Sequence, residues 1–295
     1  MISRANNQEL RGWCKAFDAT TLSDKPLIMG VLNITPNSFS DGGCYLDLNQ
    51  ARSRALAMLE QGVNLIDLGG EASNPHGEYE SISVDEELSR VIPVLQAIRE
   101  ISDVCISIDT CKAGVMREAV AAGASMINDI QALRGEDSLR VAQQLDVPIC
   151  LMHMNGTPET MQDAPYYQHD VVDEINQFFS ERIDACTRAG ISRDRLILDP
   201  GIGFGKSMAH NLNILKHLSE FRRHGRPLLL GVSRKKIIGD VLQKPVPERL
   251  IGSIAAAVYA VLQGVAIIRT HDVDETNQAL TMVDSICRYE NTILG

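Results

Sequence analysis

Leu196-Ile197-Leu198-Asp199-Pro200-Gly201-Ile202-Gly203-Phe204-Gly205-Lys206 begins as an apolar run and then meets a carboxylate, a proline and three alternating glycines. Apolar residues at successive positions suit a strand buried on both faces. Proline ends the hydrogen-bonded ladder, and the glycines let the backbone turn sharply and approach a neighbour closely. A helical pattern resumes near Ala209. A buried strand that delivers an acid into a glycine-rich loop ahead of a helix builds a site.

The same plan recurs along the chain. Strand-length apolar runs fall at 27–32, 65–68, 104–108, 125–127, 147–152, 196–198, 228–232 and 265–268. Helical patterns lie between and after them, at 49–61, 85–100, 112–122, 137–145, 170–189, 209–223, 247–263 and 273–289. Gly62, Gly123, Gly190, Gly225 and Gly264 close five of these helices, as glycine does just past a helix end. Eight strand–helix units within 295 residues predict a single (β/α)8 TIM barrel over residues 27–290. Residues 1–26 read as a polar, irregular N-terminal extension. A doubly wound open sheet is the alternative, but Asn33-Ile34-Thr35-Pro36 stands where a dinucleotide-binding sheet carries its glycine turn.

The net charge of −10 argues against a nucleic-acid partner, although local basic residues can still bind an anionic small molecule in a cleft. The N-terminus lacks the apolar core of a signal peptide. The longest apolar run, 254–268, is interrupted by Gln263 and Gly264 and is too short for a bilayer, so no membrane partner is expected. Seven cysteines without a CxxC pair suit a reducing cytoplasm.

In a barrel the C-terminal strand ends share one mouth, where chemistry is done. Here those ends are polar: Asn33, Glu71, Asp109, Asn128-Asp129, His153, Asp199, Ser233-Arg234-Lys235 and Arg269-Thr270-His271. Asp109, Asn128, Asp199 and Lys235 offer carboxylate acceptors, an amide and a cation, a set that suits a flat heterocycle bearing an amino group and ring N–H groups. Arg269 and His271 alternate along a strand and can face the same side; with Asn33 they make an anion site. Asn33 supplies a neutral oxygen of the kind Mg²⁺ accepts when phosphates provide its other ligands. The plain alternatives are a buried Asp199–Lys235 ion pair and a helix-capping His271. The glycine loop fits neither a Walker A loop nor G-x-G-x-x-G, and neither a G-x-S-x-G elbow nor a zincin histidine pair occurs.

The segments MGVLNITPNSFSDGG (29–43), DLGGEASNP (67–75), SIDTCKAGV (107–115), INDI (127–130), LMHMNGTPETMQ (151–162), LILDPGIGFGK (196–206), GVSRKKIIG (231–239) and IRTHDV (268–273) together resemble the dihydropteroate synthase family, in that family's order. The resemblance implies a (β/α)8 barrel and an alkyl-transferring enzyme of folate synthesis. It implies condensation of 6-hydroxymethyl-7,8-dihydropterin diphosphate with 4-aminobenzoate to give 7,8-dihydropteroate and diphosphate, SN1-like and assisted by Mg²⁺. By motif, Asp109, Asn128, Asp199 and Lys235 would hold the pterin, and Asn33, Arg269 and His271 the diphosphate and Mg²⁺, with Asn33 as the metal ligand. Asp109, Asp199, Lys235, Arg269 and His271 would carry catalysis. Ser38, Phe39 and Asp41 would lie in one substrate loop, Ser73 and Pro75 in a second. Phe204, Met152 and Lys235 would help wall the substrate pockets. The family is often dimeric, and the alanine-rich segment 251–261 could supply an interface, although its sequence alone favours simple packing on the barrel. Two other readings stay open: a pterin-binding paralogue with weak or no synthase activity, and a methyltetrahydrofolate:corrinoid methyltransferase, which needs neither the diphosphate site nor the long first-loop motif.

Two positions depart from the family's pattern. Asn74 stands where the second loop usually has arginine, and Lys236 where a serine usually helps bind the aminobenzoate carboxylate. Both changes fall on the aminobenzoate side and leave the pterin set complete. Sulfonamides, which compete for that pocket, are therefore expected to bind with affinities unlike those of members carrying the serine. A titration of sulfonamide inhibition reads this directly, and a constant matching theirs counts against it.

Overall fold

The computed structural model describes residues 7–19, 25–34, 43–71, 81–157, 160–161 and 163–289. Eight strands appear in chain order: β1 Leu27–Asn33, β2 Leu65–Gly69, β3 Cys105–Asp109, β4 Met126–Asp129, β5 Ile149–Met152, β6 Leu196–Asp199, β7 Leu229–Gly231 and β8 Ile267–Thr270. All pair in parallel, in the order β6-β5-β4-β3-β2-β1-β8-β7. A parallel bridge between Leu198 and Leu228 closes the ring. The expected barrel is therefore present, and the open sheet is excluded. Six strands run one or two residues further than the apolar runs, so that Asn33, Gly69, Asp109, Asp129, Asp199 and Thr270 are the last residues of their ladders.

Ten helices accompany the strands among the described residues: α1 Asn7–Ala16, α2 Gly43–Glu60, α3 Val84–Arg99, α4 Ala113–Ala121, α5 Ser138–Gln144, α6 Val171–Arg188, α7 Met208–Lys216, α8 Lys236–Leu242, α9 Leu250–Leu262 and α10 Val273–Cys287. The five stop glycines all have positive φ, as the sequence predicts. Two expectations are corrected. The stretch 209–223 does not continue as one helix: α7 stops and a 3-10 segment, Leu218–His224, completes it. The N-terminal extension is not irregular, because Asn7–Ala16 is helical. Leu10, Trp13, Cys14 and Phe17 recur at helical spacing and form its apolar face.

That face has a specific place. Alternate strand residues point inward, and the lowest inward layer is apolar: Leu27, Met29, Leu65, Cys105, Met126, Cys150, Ile197, Leu229 and Ile267. Leu10 and Cys14 are wholly buried against this layer, with Trp13 beside them. Arg226 rivets the end of α1, donating to Cys14 O at 2.7 Å and to Leu196 O at 3.1 Å. Burial of Leu10 alone stabilises the plug by about 2–3 kcal/mol. The outer faces of the strands pack against the helices in one large core. Among the described residues no helix is long and apolar enough to cross a membrane.

Candidate active site

Two residues above the apolar plug, the same inward alternation meets polar side chains. Leu65 is followed by Asp67, Cys105 by Ser107 and then Asp109, Met126 by Asn128, Ile197 by Asp199 and Ile267 by Arg269. Along β2, β3, β4, β6 and β8 the barrel interior thus changes from hydrocarbon to hydrogen-bonding groups within one residue pair. Asp67, Ser107, Asn128 and Asp199 are all buried.

The layer is cross-linked. Arg269 donates from Nε to Asp67 Oδ2 at 2.6 Å and from a terminal nitrogen to Asp109 Oδ2 at 3.1 Å. Asn128 Nδ2 donates to both oxygens of Asp67, at 3.3 and 3.2 Å. Asp67 is therefore the hub that sets the guanidinium and the amide. It went unnoticed in the sequence because it lies inside the apolar run Leu65-Ile66-Asp67-Leu68. Ser107, its register partner on β3, is fully buried, and its hydroxyl has no hydrogen-bond partner among the described residues. The plain Asp199–Lys235 ion pair is not what holds those two groups. Asp199 Oδ1 instead accepts from Gly201 N at 2.7 Å, and Lys235 Nζ donates to Ile202 O.

Burial governs the charges. It pushes Asp109 up to about 8, with Asp67's charge adding and Arg269 opposing. Asp199 is also raised by burial, against the pull of Lys235. Lys235 is brought down to about 8 by burial, with Asp199 opposing. Burial works against Arg269's charge too, but Asp67 and Asp109 overcome it and raise the group. His271 falls to about 4 through burial and the nearby Arg269 and Arg234, so its imidazole is neutral at pH 7. It does not cap a helix: its backbone N and its Nδ1 meet Ser233 Oγ at 3.2 and 3.1 Å.

The glycine loop after β6 forms one wall of the mouth. A Cβ on Gly201 would stand 2.0 Å from His153 O, and one on Gly205 2.2 Å from Asn155 O, so the loop lies backbone against backbone on the exit of β5. Lys206 locks the contact. It is buried and donates to His153 O at 3.2 Å and Phe204 O at 2.9 Å, with His153 Nδ1 at 2.9 Å. Burial drives both Lys206 and His153 well below their ordinary values. The sequence shows Lys206 only as the end of a failed nucleotide loop, because its partner His153 lies 53 residues away on another strand exit. Phe204 is thereby fixed with its ring 4.8 Å from Lys235 Nζ, in a cluster with Met152, Met154, Met161 and Ile130.

The structure thus brings Asp109, Asn128, Asp199, Lys235, Arg269, Phe204 and Met152 to one mouth, with His271 at its edge and Asn33 exposed at the end of β1. Lys236 is half exposed and pairs with Asp240 at 2.7 Å along α8, a surface contact weak enough to be exchanged. Ser38, Phe39, Asp41, Ser73, Asn74 and Pro75 lie outside the described residues. Lys112 bridges Glu71 and buried Glu87 just before the second loop.

The raised Asp109 has a consequence for pH. Its folded value of about 8 exceeds the 3.8 of a free carboxyl. The stability it contributes is full below about pH 4 and is lost as pH climbs to about 8. Asp67→Asn removes one of the charges that raise it, so the Asp109 titration should move downward. Carbon NMR of the carboxyl measures the midpoint, and an unmoved midpoint would strike Asp67 from its causes.

A profile for the family described as pterin binding enzymes matches residues 29–271. The chain is 49% identical over 260 residues to the dihydropteroate synthase of Escherichia coli (strain K12), covering 88% of this chain and 91% of that one. It is 44% identical over 263 residues to the Synechocystis enzyme of the same name, covering 88% and 90%. The Yersinia pestis dihydropteroate synthase in a sulfonamide drug complex superposes with a TM-score of 0.85 at 48% identity, covering 91% of this chain and 96% of that one. The Xanthomonas albilineans dihydropteroate synthase with 4-aminobenzoic acid gives 0.84 at 44% identity, covering 90% and 95%. With a family match over most of its length and relatives of this closeness, the chain belongs to the dihydropteroate synthases of the pterin-binding enzyme family.

Proposed function

We propose that this chain condenses 6-hydroxymethyl-7,8-dihydropterin diphosphate with 4-aminobenzoate, breaking the C–O bond to diphosphate before the arylamine attacks. The observation that carries this reading is the polar layer set directly on an apolar plug, with Asp109, Asn128 and Asp199 at the C-terminal ends of β3, β4 and β6 and Lys235 just past β7. A pterin ring laid on that layer offers its amino group and ring N–H groups to the carboxylates and its oxygen to Lys235. The Arg269 contacts to Asp67 and Asp109 balance buried charge in the layer. A pterin that donates to those carboxylates frees the guanidinium to meet phosphate.

The arylamine is neutral at pH 7 and needs little help from a base. The demanding step is departure of diphosphate. Arg269 and neutral His271 stabilise the leaving charge by hydrogen bonds directed at its oxygens. The positive charge left on the pterin methylene spreads into the ring, whose N–H groups donate to Asp199 and Asp109; that hydrogen bonding favours the charged carboxylate and draws Asp109 down from about 8 as the pterin binds. Phe204, backed by Met152, gives the aminobenzoate ring an apolar wall beside Lys235, and the spent amine proton passes to water.

Mg²⁺ fits this donor set. Among the described residues no three His, Cys, Asp or Glu side chains converge on a point, so the protein offers the carbonyl oxygen of Asn33 and the diphosphate supplies the other ligands. When bound, Mg²⁺ neutralises charge on the leaving group.

The test is diphosphate release from the pterin substrate with and without 4-aminobenzoate. Release that is accompanied by dihydropteroate when 4-aminobenzoate is present supports a synthase. Sustained release that 4-aminobenzoate does not convert to dihydropteroate points to a hydrolase, and binding without release to the paralogue. In the same assay Asp109→Asn should cut kcat by about a hundredfold or more while the protein stays folded. Turnover equal to the parent's would refute its role.

We also infer that two copies associate. α9 and α10 leave Ile251, Tyr259, Leu262, Met282 and Ile286 exposed, and Ile251 is 81% accessible. Exposed apolar residues on two helices packed against each other suit a second copy of the chain. Sedimentation velocity should show a dimer that Ile251→Glu weakens; a monomer at tens of micromolar would exclude it.

A further inference from the structure

Arg234 lies between the end of β7 and the start of α8, and its backbone has φ = +58°. A left-handed conformation brings Cβ close to the following carbonyl, so a long non-glycine side chain adopts it only when the surroundings enforce it. Here every polar group of Arg234 is engaged. Its N–H donates to Ser253 Oγ at 2.9 Å. Its carbonyl accepts from the Arg249 guanidinium at 3.0 Å. Its own guanidinium grips both oxygens of Asp272, from Nε at 3.0 Å and from a terminal nitrogen.

The holders are themselves held. Ser253 is buried on α9, and its hydroxyl donates to Arg249 O at 2.8 Å. Gly239 makes room for Arg249: a Cβ there would stand 2.2 Å from the guanidinium. Asp272 is buried and follows β8, with Thr276 donating to its carbonyl at 2.6 Å. Groups from α9 and from the β8–α10 junction thus converge on one strained residue of the β7–α8 turn.

The residue that follows is Lys235. The turn sends its side chain back into the barrel, where Nζ lies 3.9 Å from the Cβ position of Gly231, 4.8 Å from the Phe204 ring and in reach of Ile202 O. An ordinary right-handed residue at 234 would rotate the next peptide and carry that side chain off the cavity.

We propose that Asp272, with Ser253 and Arg249, acts as a positioning group: it holds residue 234 in the left-handed conformation that aims the Lys235 amine at the pterin-binding cavity. Arg234 serves the site through its backbone, and its side chain is the handle by which Asp272 holds it. The proposal rests on the pterin-binding role of the cavity given above, but its test does not need turnover.

Glycine adopts the left-handed region without strain, so it can stand in for the ion pair. Asp272→Asn should lower kcat/KM for the pterin substrate roughly five- to thirtyfold. The double variant Arg234→Gly/Asp272→Asn should recover most of that loss despite lacking both members of the pair. A double variant no better than the single one overturns the proposal. If Asp272→Asn does not fold, Ser253→Ala with and without Arg234→Gly asks the same question of the second tether. Independently of the reaction, carbon NMR of methylated lysines follows the Lys235 amine. Its titration near 8 should shift toward an ordinary lysine's in the single variant and return in the double. A Lys235 signal indifferent to Asp272 sinks the inference even if the enzyme is an active synthase. A parent that makes no dihydropteroate, with the NMR pattern as expected, would remove the proposed function and leave the positioning device standing.

Discussion

A carboxylate removed from water must be paired or lose its charge. Asp67 is wholly buried in the barrel interior, and the rest of the mouth is arranged around satisfying it. Arg269 and Asn128 both reach it, and Arg269 in doing so reaches Asp109. One buried acid thus fixes the guanidinium on β8 and the amide on β4, and its charge adds to the burial that raises the carboxyl on β3. The cost of holding such groups in a dry interior is offset by the apolar layer beneath, which gives the strands a rigid base.

The polar strand ends could be read from sequence because β-strand alternation projects them. Once Asp109, Asn128 and Asp199 are placed at the ends of parallel runs, a closed barrel carries them to one rim. What escaped has physical reasons. Asp67 sits two residues before its strand's end, so it looks like a lapse in an apolar run. Lys206 gains meaning only from carbonyls on a different strand exit. The stripe Leu10, Trp13, Cys14 and Phe17 was present in the text, but four residues in a short polar segment do not reveal that they fill a barrel floor.

The shared device at the mouth is backbone exposed at close range. The Gly201 and Gly205 contacts let two strand exits touch without side chains between them. Arg234 reaches a comparable sharpness of turn with a residue that resists it, and ion pairing to Asp272 supplies the restraint. Lysines are delivered by both turns. Lys206 is spent on structure, whereas Lys235 faces the cavity.

The helix that seals the lower end turns the barrel into a blind shaft. Among the described residues the open end is the polar rim, so on the proposed function a guest that touches Asn128 and Asp67 descends from above, and a second guest resting against Phe204 stands over it. On the function proposed above, loading is sequential: the deeper partner goes in first, and the joined product clears the rim whole before the next round begins.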